Sequence, residues 1–238
     1  MMSLVERTMP KILSKLRINN TREFPINPTE VNAYNSFSDN SIIVPLAFLT
    51  YPMYHLGLEV LNYGSIGSVL GHELTHGFDN NGRKRDKYGN YKQWWSNDTI
   101  QTFERKAECF VEQYDNITIE GVEGKVNGKK TLGENIADNG GLSHSFVAYK
   151  NFKKRVGSEP MLPGFEDFTL DQLFFIAFGS IWCETSIASD IADQLENDVH
   201  CPNSVRVNTA VSNSRDFARA FHCKAGARMN PAKKCKIW

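Results

Sequence analysis

The residues best suited to chemistry are His72-Glu73-Leu74-Thr75-His76. Two histidines four apart on a helix stand on one face, one turn above the other, so both imidazoles can reach a single zinc ion at about 2.0–2.1 Å. Glu73 sits beside them, within reach of a proton on water at that zinc. Two ligands are insufficient, because a catalytic zinc takes three from the protein and leaves a position for water. Glu134, in Gly133-Glu134-Asn135-Ile136-Ala137-Asp138, is the candidate for the third, and Asp138 lies one helical turn further along the same face. The same stretch fits a second reading: Thr131-x-x-Glu134 has the form of a capping box, in which Glu134 only satisfies backbone N–H groups. Taken alone, the segment supports either.

These residues need helices to hold them. From Asn62 a helical pattern runs through Ile66, Val69, Leu70, Leu74 and Phe78 at spacings of three and four. Gly67 and Gly71 interrupt it at a cost of about 1 kcal/mol each, which predicts another backbone packed close to that face. Ser96 is the expected N-cap of a helix that buries Ile100, Phe103, Ala107, Phe110, Val111 and Tyr114. A second long helix is expected from Thr131 toward Lys154, and a third, apolar almost all round, from Thr169 to Trp182. A shorter one closes the chain around Phe217, Ala218 and Phe221. Two β-prone runs, Val31 to Phe37 and Ile42 to Phe48, flank the turn-forming Ser38-Asp39-Asn40. The expected fold class is therefore mainly α with a few short strands (α+β). Residues 1–30 are expected to form a helix-like, partly irregular lead, and residues 31–238 one domain.

Composition removes several alternatives. The 238 residues carry 27 Lys plus Arg and 27 Asp plus Glu, so no net field favours nucleic acid or an anionic membrane. Arg83-Lys84-Arg85 reads as a solvated turn. No stretch reaches the ~18–20 consecutive apolar residues of a membrane helix, and Ile42 to Leu49, the best candidate, contains Pro45. Glu6, Arg7, Lys11 and Lys15 leave no apolar core for a secretory signal near the start. The 5 cysteines, Cys109, Cys183, Cys201, Cys223 and Cys235, lack the close pairing of a structural zinc cluster. Sequons at Asn19, Asn97 and Asn116 lean toward an extracellular setting.

Four motifs in order carry a resemblance that covers about Val31 to Trp238. They are Val31-Asn32-Ala33-Tyr34, Gly71-His72-Glu73-Leu74-Thr75-His76-Gly77-Phe78-Asp79, Gly133-Glu134-Asn135-Ile136-Ala137-Asp138-Asn139-Gly140-Gly141 and Cys235-Lys236-Ile237-Trp238. Together they resemble the neprilysin and endothelin-converting enzyme family. The resemblance implies a thermolysin-like zincin lobe, one Zn²⁺ per chain and cleavage of oligopeptides on the amino side of large hydrophobic residues. By the same resemblance His72, His76 and Glu134 are the zinc ligands and Glu73 the general base. Asp138 orients His72, and Asp79 supports His76. Asn32 and Ala33 bind the substrate backbone, and His200 and Arg206 are the transition-state donor and the carbonyl-gripping guanidinium. Val69 and Trp182 line the pocket for the large apolar side chain. A disulfide between Cys109 and Cys235 is likewise implied, while Cys183 and Cys223 match cysteines that pair with a large N-terminal lobe.

Asn80 stands where the family usually has an acid, and Cys201 where a small hydroxyl residue is common. Family members also carry a cytoplasmic tail, a membrane helix and that N-terminal lobe, which places the catalytic part at the cell surface or outside the cell. The sequence here shows none of these. The expected partners are peptide substrates, together with an N-terminal lobe or a second copy covering apolar surface. The alternative expectation is a zinc-binding fragment, catalytically weak or inactive without that lobe.

Overall fold

The computed structural model describes residues 26–55 and 57–237. The helix-like lead and the Asn19 sequon therefore lie largely outside the described residues. The described chain is mainly helical. One antiparallel pair, β1 (Tyr34–Ser36) and β2 (Ser41–Ile43), is registered Tyr34 to Ile43 and Ser36 to Ser41. The second β-prone run is shorter than its composition suggests. Pro45 has no N–H to offer a strand, and the chain turns there into a 3-10 segment, Leu46–Leu49. Asn32 and Ala33 precede β1 instead of lying within it.

The helices are α1 (Glu59–Gly64), α2 (Ile66–His76), α3 (Asn97–Asp115), α4 (Leu132–Val156), α5 (Leu170–Ser180), α6 (Ala188–Asn197), α7 (Asn203–Asn213) and α8 (Arg215–Ala220). Several starts follow from their sequence. The Ser96 side chain accepts from the Thr99 N–H at the head of α3. Thr169 and Gln172 form a reciprocal capping box on α5. Helix α5 is the centre of one apolar core, where Phe174 and Phe175 meet Phe146 and Tyr149 of α4. A second core gathers Phe103, Phe110 and Tyr114 of α3 with Ile136 of α4 and Val205 of α7. Helices α6 and α7 are elements that the periodicity reading did not find.

Helix α2 is buried on a different face from the one its hydropathy suggests. Ile66 and Val69 are buried, but Leu70 is 39% exposed, Leu74 53% and Phe78 41%. What α2 turns inward is its row of small residues. A Cβ on Gly71 would stand 2.8 Å from the Gly141 carbonyl oxygen, and a Cβ on Gly141 would stand 2.6 Å from the His72 nitrogen. The two glycines let α2 and α4 touch backbone to backbone, as the interrupting glycines predict. The helices run antiparallel, with Gly67 beside Ser145 and Asp79 beside Gly133.

The Arg83-Lys84-Arg85 run is a turn that is solvated at Lys84 and packed at Arg83. Arg83 pairs with Glu104 at 2.9 Å and lies over the Phe103 ring, so this basic turn is folded against α3.

Candidate active site

Because α2 and α4 lie so close, the carboxylates of α4 arrive directly opposite the histidines of α2. His72 Nε2 and His76 Nε2 are 2.9 Å apart, and Glu134 Oε2 stands 3.2 Å from the first and 3.4 Å from the second. The other nitrogen of each ring faces a carboxylate. His72 Nδ1 lies 2.8 Å from Asp138 Oδ1, and His76 Nδ1 lies 2.7 Å from Asp79 Oδ2. Asp79 is itself fixed, since its Oδ1 accepts from the backbone N–H groups of Asn81 and Gly82.

The capping-box reading of Glu134 does not hold in the structure. Thr131 makes no side-chain cap bond; its hydroxyl donates to the Asn127 carbonyl instead. Glu134 faces the histidines, and its buried Oε2 has no well-formed hydrogen-bond partner.

This donor set fits a metal. With a carboxylate beside each Nδ1, hydrogen-bonded in His76 and in close contact in His72, the tautomers protonated at Nδ1 are favoured and the Nε2 lone pairs face Glu134 Oε2. Three acceptors converging on one point need a cation or added protons. Without an ion, protons fill the role. Burial opposes the charge on His76, but the hydrogen bond to Asp79 and the nearby Glu134 carboxylate outweigh it and push the imidazole up to about 10. His72 is raised despite its burial, through Asp138 and then Glu134. Glu134 is held well below the usual carboxylate range despite burial, by His200, His72 and His76.

Glu73 lies next to His72, and its carboxyl shifts in the opposite sense to that of Glu134. Burial raises its carboxyl above the ordinary value, and the neighbouring histidines only partly offset that. Its backbone carbonyl accepts from the Asn35 side chain at 2.7 Å, which ties α2 to β1.

The second half of the chain adds further groups. His200 Nε2 lies 3.2 Å from Glu134 Oε2, and His200 Nδ1 lies 2.8 Å from Asp198 Oδ1. Arg206, on α7, grips Asp138 with Nε to Oδ2 at 2.8 Å and Nη2 to Oδ1 at 2.7 Å. Its guanidinium also stacks over the Trp182 ring, 4.1 Å from the centroid.

His72, Glu73, His76, Glu134, His200 and Arg206 line one cleft of about 620 Å³ that also includes Asn32, Ala33, Val69 and Trp182. Val69 packs there with Phe48, while Ala33 is 5% exposed and so offers the cleft little beyond its backbone. Cys109, on α3, and Cys235 are joined in a disulfide. The sequence reading did not single out Asp198 or Phe37. Asp198 is legible as an acid two residues before His200. Phe37, whose ring meets the His76 ring edge-on at 6.4 Å, has no comparable local signal.

Comparison with known proteins agrees with this geometry. The profile of Peptidase family M13 matches residues 32–237. Neprilysin-1 of Caenorhabditis elegans is 43% identical over 221 residues, which is 92% of this chain and 29% of that protein. Human endothelin-converting enzyme 1 is 44% identical over 220 residues, 92% of this chain and 28% of its own length. The chain thus spans under a third of these relatives. Among solved structures, the Mycobacterium tuberculosis zinc metalloprotease Zmp1 bound to an inhibitor superposes with a TM-score of 0.87 at 34% identity, covering 96% of this chain and 36% of that one. A Haemonchus galactose-containing glycoprotein complex gives 0.85 at 39% identity, with 91% and 36% covered. By sequence and by fold, the chain belongs to peptidase family M13, the family of the neprilysin and endothelin-converting enzyme zinc metallopeptidases.

Proposed function

We propose that residues 31–238 form a catalytic domain that hydrolyses peptide bonds of oligopeptides, with one zinc held by His72, His76 and Glu134. The observation that carries this reading is the convergence of two imidazole nitrogens and a carboxylate oxygen within 4.8 Å of one another. When bound there, zinc would polarise the scissile carbonyl and make water acidic enough to lose a proton near neutral pH.

The chain's own groups do the rest. Glu73 takes the proton of the attacking water and later delivers it to the leaving amine, and its raised carboxyl suits it to both steps. Asp138 and Asp79 hold their histidines in the tautomer that presents Nε2 to the metal. His200 donates to the oxygen of the attacked carbonyl, with Asp198 fixing its ring.

Arg206 binds a substrate carbonyl through the guanidinium edge that Asp138 leaves free. Asn32 and the Ala33 backbone align the extended substrate. Val69 and Trp182 receive a large apolar side chain just after the scissile bond.

The setting is extracellular or at the cell surface. The disulfide and the exposed sequon residues Asn97 and Asn116 support that placement. Among the described residues no helix is long and apolar enough to cross a membrane.

Metal analysis of the purified chain, paired with hydrolysis of a quenched peptide bearing Phe or Leu after the cleavable bond, tests this reading. We expect about one zinc per chain and cleavage at that bond. Stoichiometric zinc without cleavage would leave a metal-binding module and remove the peptidase.

A further inference from the structure

A second cleft, of about 330 Å³, lies on a different face of α4 from Glu134 and Asp138. Its floor is apolar, formed by Phe110, Ile136, Leu142 and Ile237. Its rim is basic: Arg215, Arg219, Lys234 and Lys236 all line it, against a single carboxylate, Asp216, among the described lining residues. Asp216 is occupied by Arg219 at 2.9 Å. Among the described residues the side chains of Arg215 and Lys236 make no hydrogen bond or ion pair, and that of Lys234 donates only to the Ser212 carbonyl. In a chain of zero net charge, this concentration of cations is a local excess.

The cations are close enough to act on one another. Burial lowers the Lys234 ammonium, and Arg215 lowers it further. His144, also on the rim, is lowered by burial and then by Lys236. Like charges gathered around an apolar floor repel, and an anion placed among them relieves that repulsion while accepting charge-assisted hydrogen bonds. Helix α8 has only 6 residues, so the positive charge at this cleft comes from its side chains.

We propose that this cleft is a second ligand site, separate from the peptidase cleft, for a small anion with a tetrahedral oxyanion head and an apolar body: a phosphate or sulfate ester. The head would sit between Arg215, Lys234 and Lys236, and the body against Ile136 and Ile237. The volume is at the small end of ligand pockets, which limits the body to about the size of one ring.

The test is calorimetric titration of the zinc-loaded full chain with phenyl phosphate and with phenyl sulfate, at ionic strength fixed by chloride. Inorganic phosphate and inorganic sulfate serve as headgroup-only controls. Saturable binding of either ester supports the proposal if Arg215→Gln and Lys236→Gln each weaken it by about tenfold or more, and the preferred ester identifies the head. Both side chains are exposed, so neither substitution should disturb folding, and circular dichroism checks that. Because both lie outside the zinc cleft, peptide hydrolysis should be unchanged. That readout separates this site from an ester bound at zinc and from failure of the peptidase reading. Heat no greater than that of added chloride, or full affinity in the Arg215→Gln and Lys236→Gln proteins, would overturn the site. Tighter binding of inorganic phosphate than of phenyl phosphate would overturn its apolar half.

Discussion

Arg206 and Asp138 meet in a buried two-pronged ion pair, and the same Asp138 carboxylate lies 2.8 Å from His72 Nδ1. One carboxylate thereby links a guanidinium from α7 to an imidazole from α2. Both cations hold Asp138 well below the usual carboxylate range in spite of its burial. Asp138→Asn should keep the shape of the contact and lose the charge, which weakens the grip on both partners. The expected result is a loss of roughly 10- to 100-fold in zinc affinity or activity. Chelator competition and peptide hydrolysis would show it, and no change in either would remove Asp138 from the site.

Glu73 and Glu134 should separate cleanly by experiment. Glu73→Gln is expected to retain zinc and fold while turnover falls by about 10²- to 10⁴-fold, the usual worth of a positioned base. Glu134→Ala should instead release the metal, since it leaves only two ligands. Metal content and rate measured on the same preparations distinguish the two. Parental turnover in zinc-loaded Glu73→Gln would sink the mechanism.

Gly141 offers a test of how the site is assembled. A Cβ there would stand 2.5 Å from the Ser68 carbonyl oxygen and 2.6 Å from the His72 nitrogen, both backbone atoms that cannot rotate away. Gly141→Ala should force α2 and α4 apart and move Glu134 from the histidines. We expect lower melting temperature together with weakened zinc binding. A protein that melts and binds zinc as the parent does would mean that the helices tolerate separation.

Metal-free chain should respond to alkaline pH. The folded His76 titrates at about 10, above the ordinary value of about 6.5. A raised histidine contributes stability that is fully present below the unfolded value and is lost as pH rises through the folded one. Denaturant midpoints of the apo protein should therefore fall between about pH 6.5 and 10. Zinc must displace the proton on His76, so adding zinc to apo protein in weakly buffered solution at pH 7 should acidify it. A flat stability profile with no proton release would contradict this arrangement of charges.

The three free thiols should react unequally. Cys183 is exposed, Cys223 is half-buried, and Cys201 is buried with its Sγ donating to the Asn135 side chain. Burial pushes the Cys201 thiol up to about 11, which leaves little thiolate at neutral pH. Thiol titration of the native protein should find Cys183 first and Cys201 only on unfolding. Cys183 should also form intermolecular disulfides when the chain is oxidised, and Cys183→Ser should suppress them on a non-reducing gel.

Local patterns made much of this protein readable in sequence. The 3.6-residue period puts His72 and His76 on one face whatever surrounds them, and Ser96 and Thr169 cap their helices through neighbours three residues away. The four ordered motifs tied those local patterns to a family.

Tertiary packing decided the rest, because burial depends on what an element meets. Hydropathy favours Leu70 and Leu74 for the inner face of α2, yet the backbone approach at Gly71 and Gly141 gives that face to small residues and turns both leucines outward. Thr131-x-x-Glu134 fits a cap and a ligand equally well until α4 is laid against α2. The position of Arg206, 68 residues beyond Asp138, is likewise beyond any periodicity, since no local rule fixes which distant carboxylate a guanidinium will find.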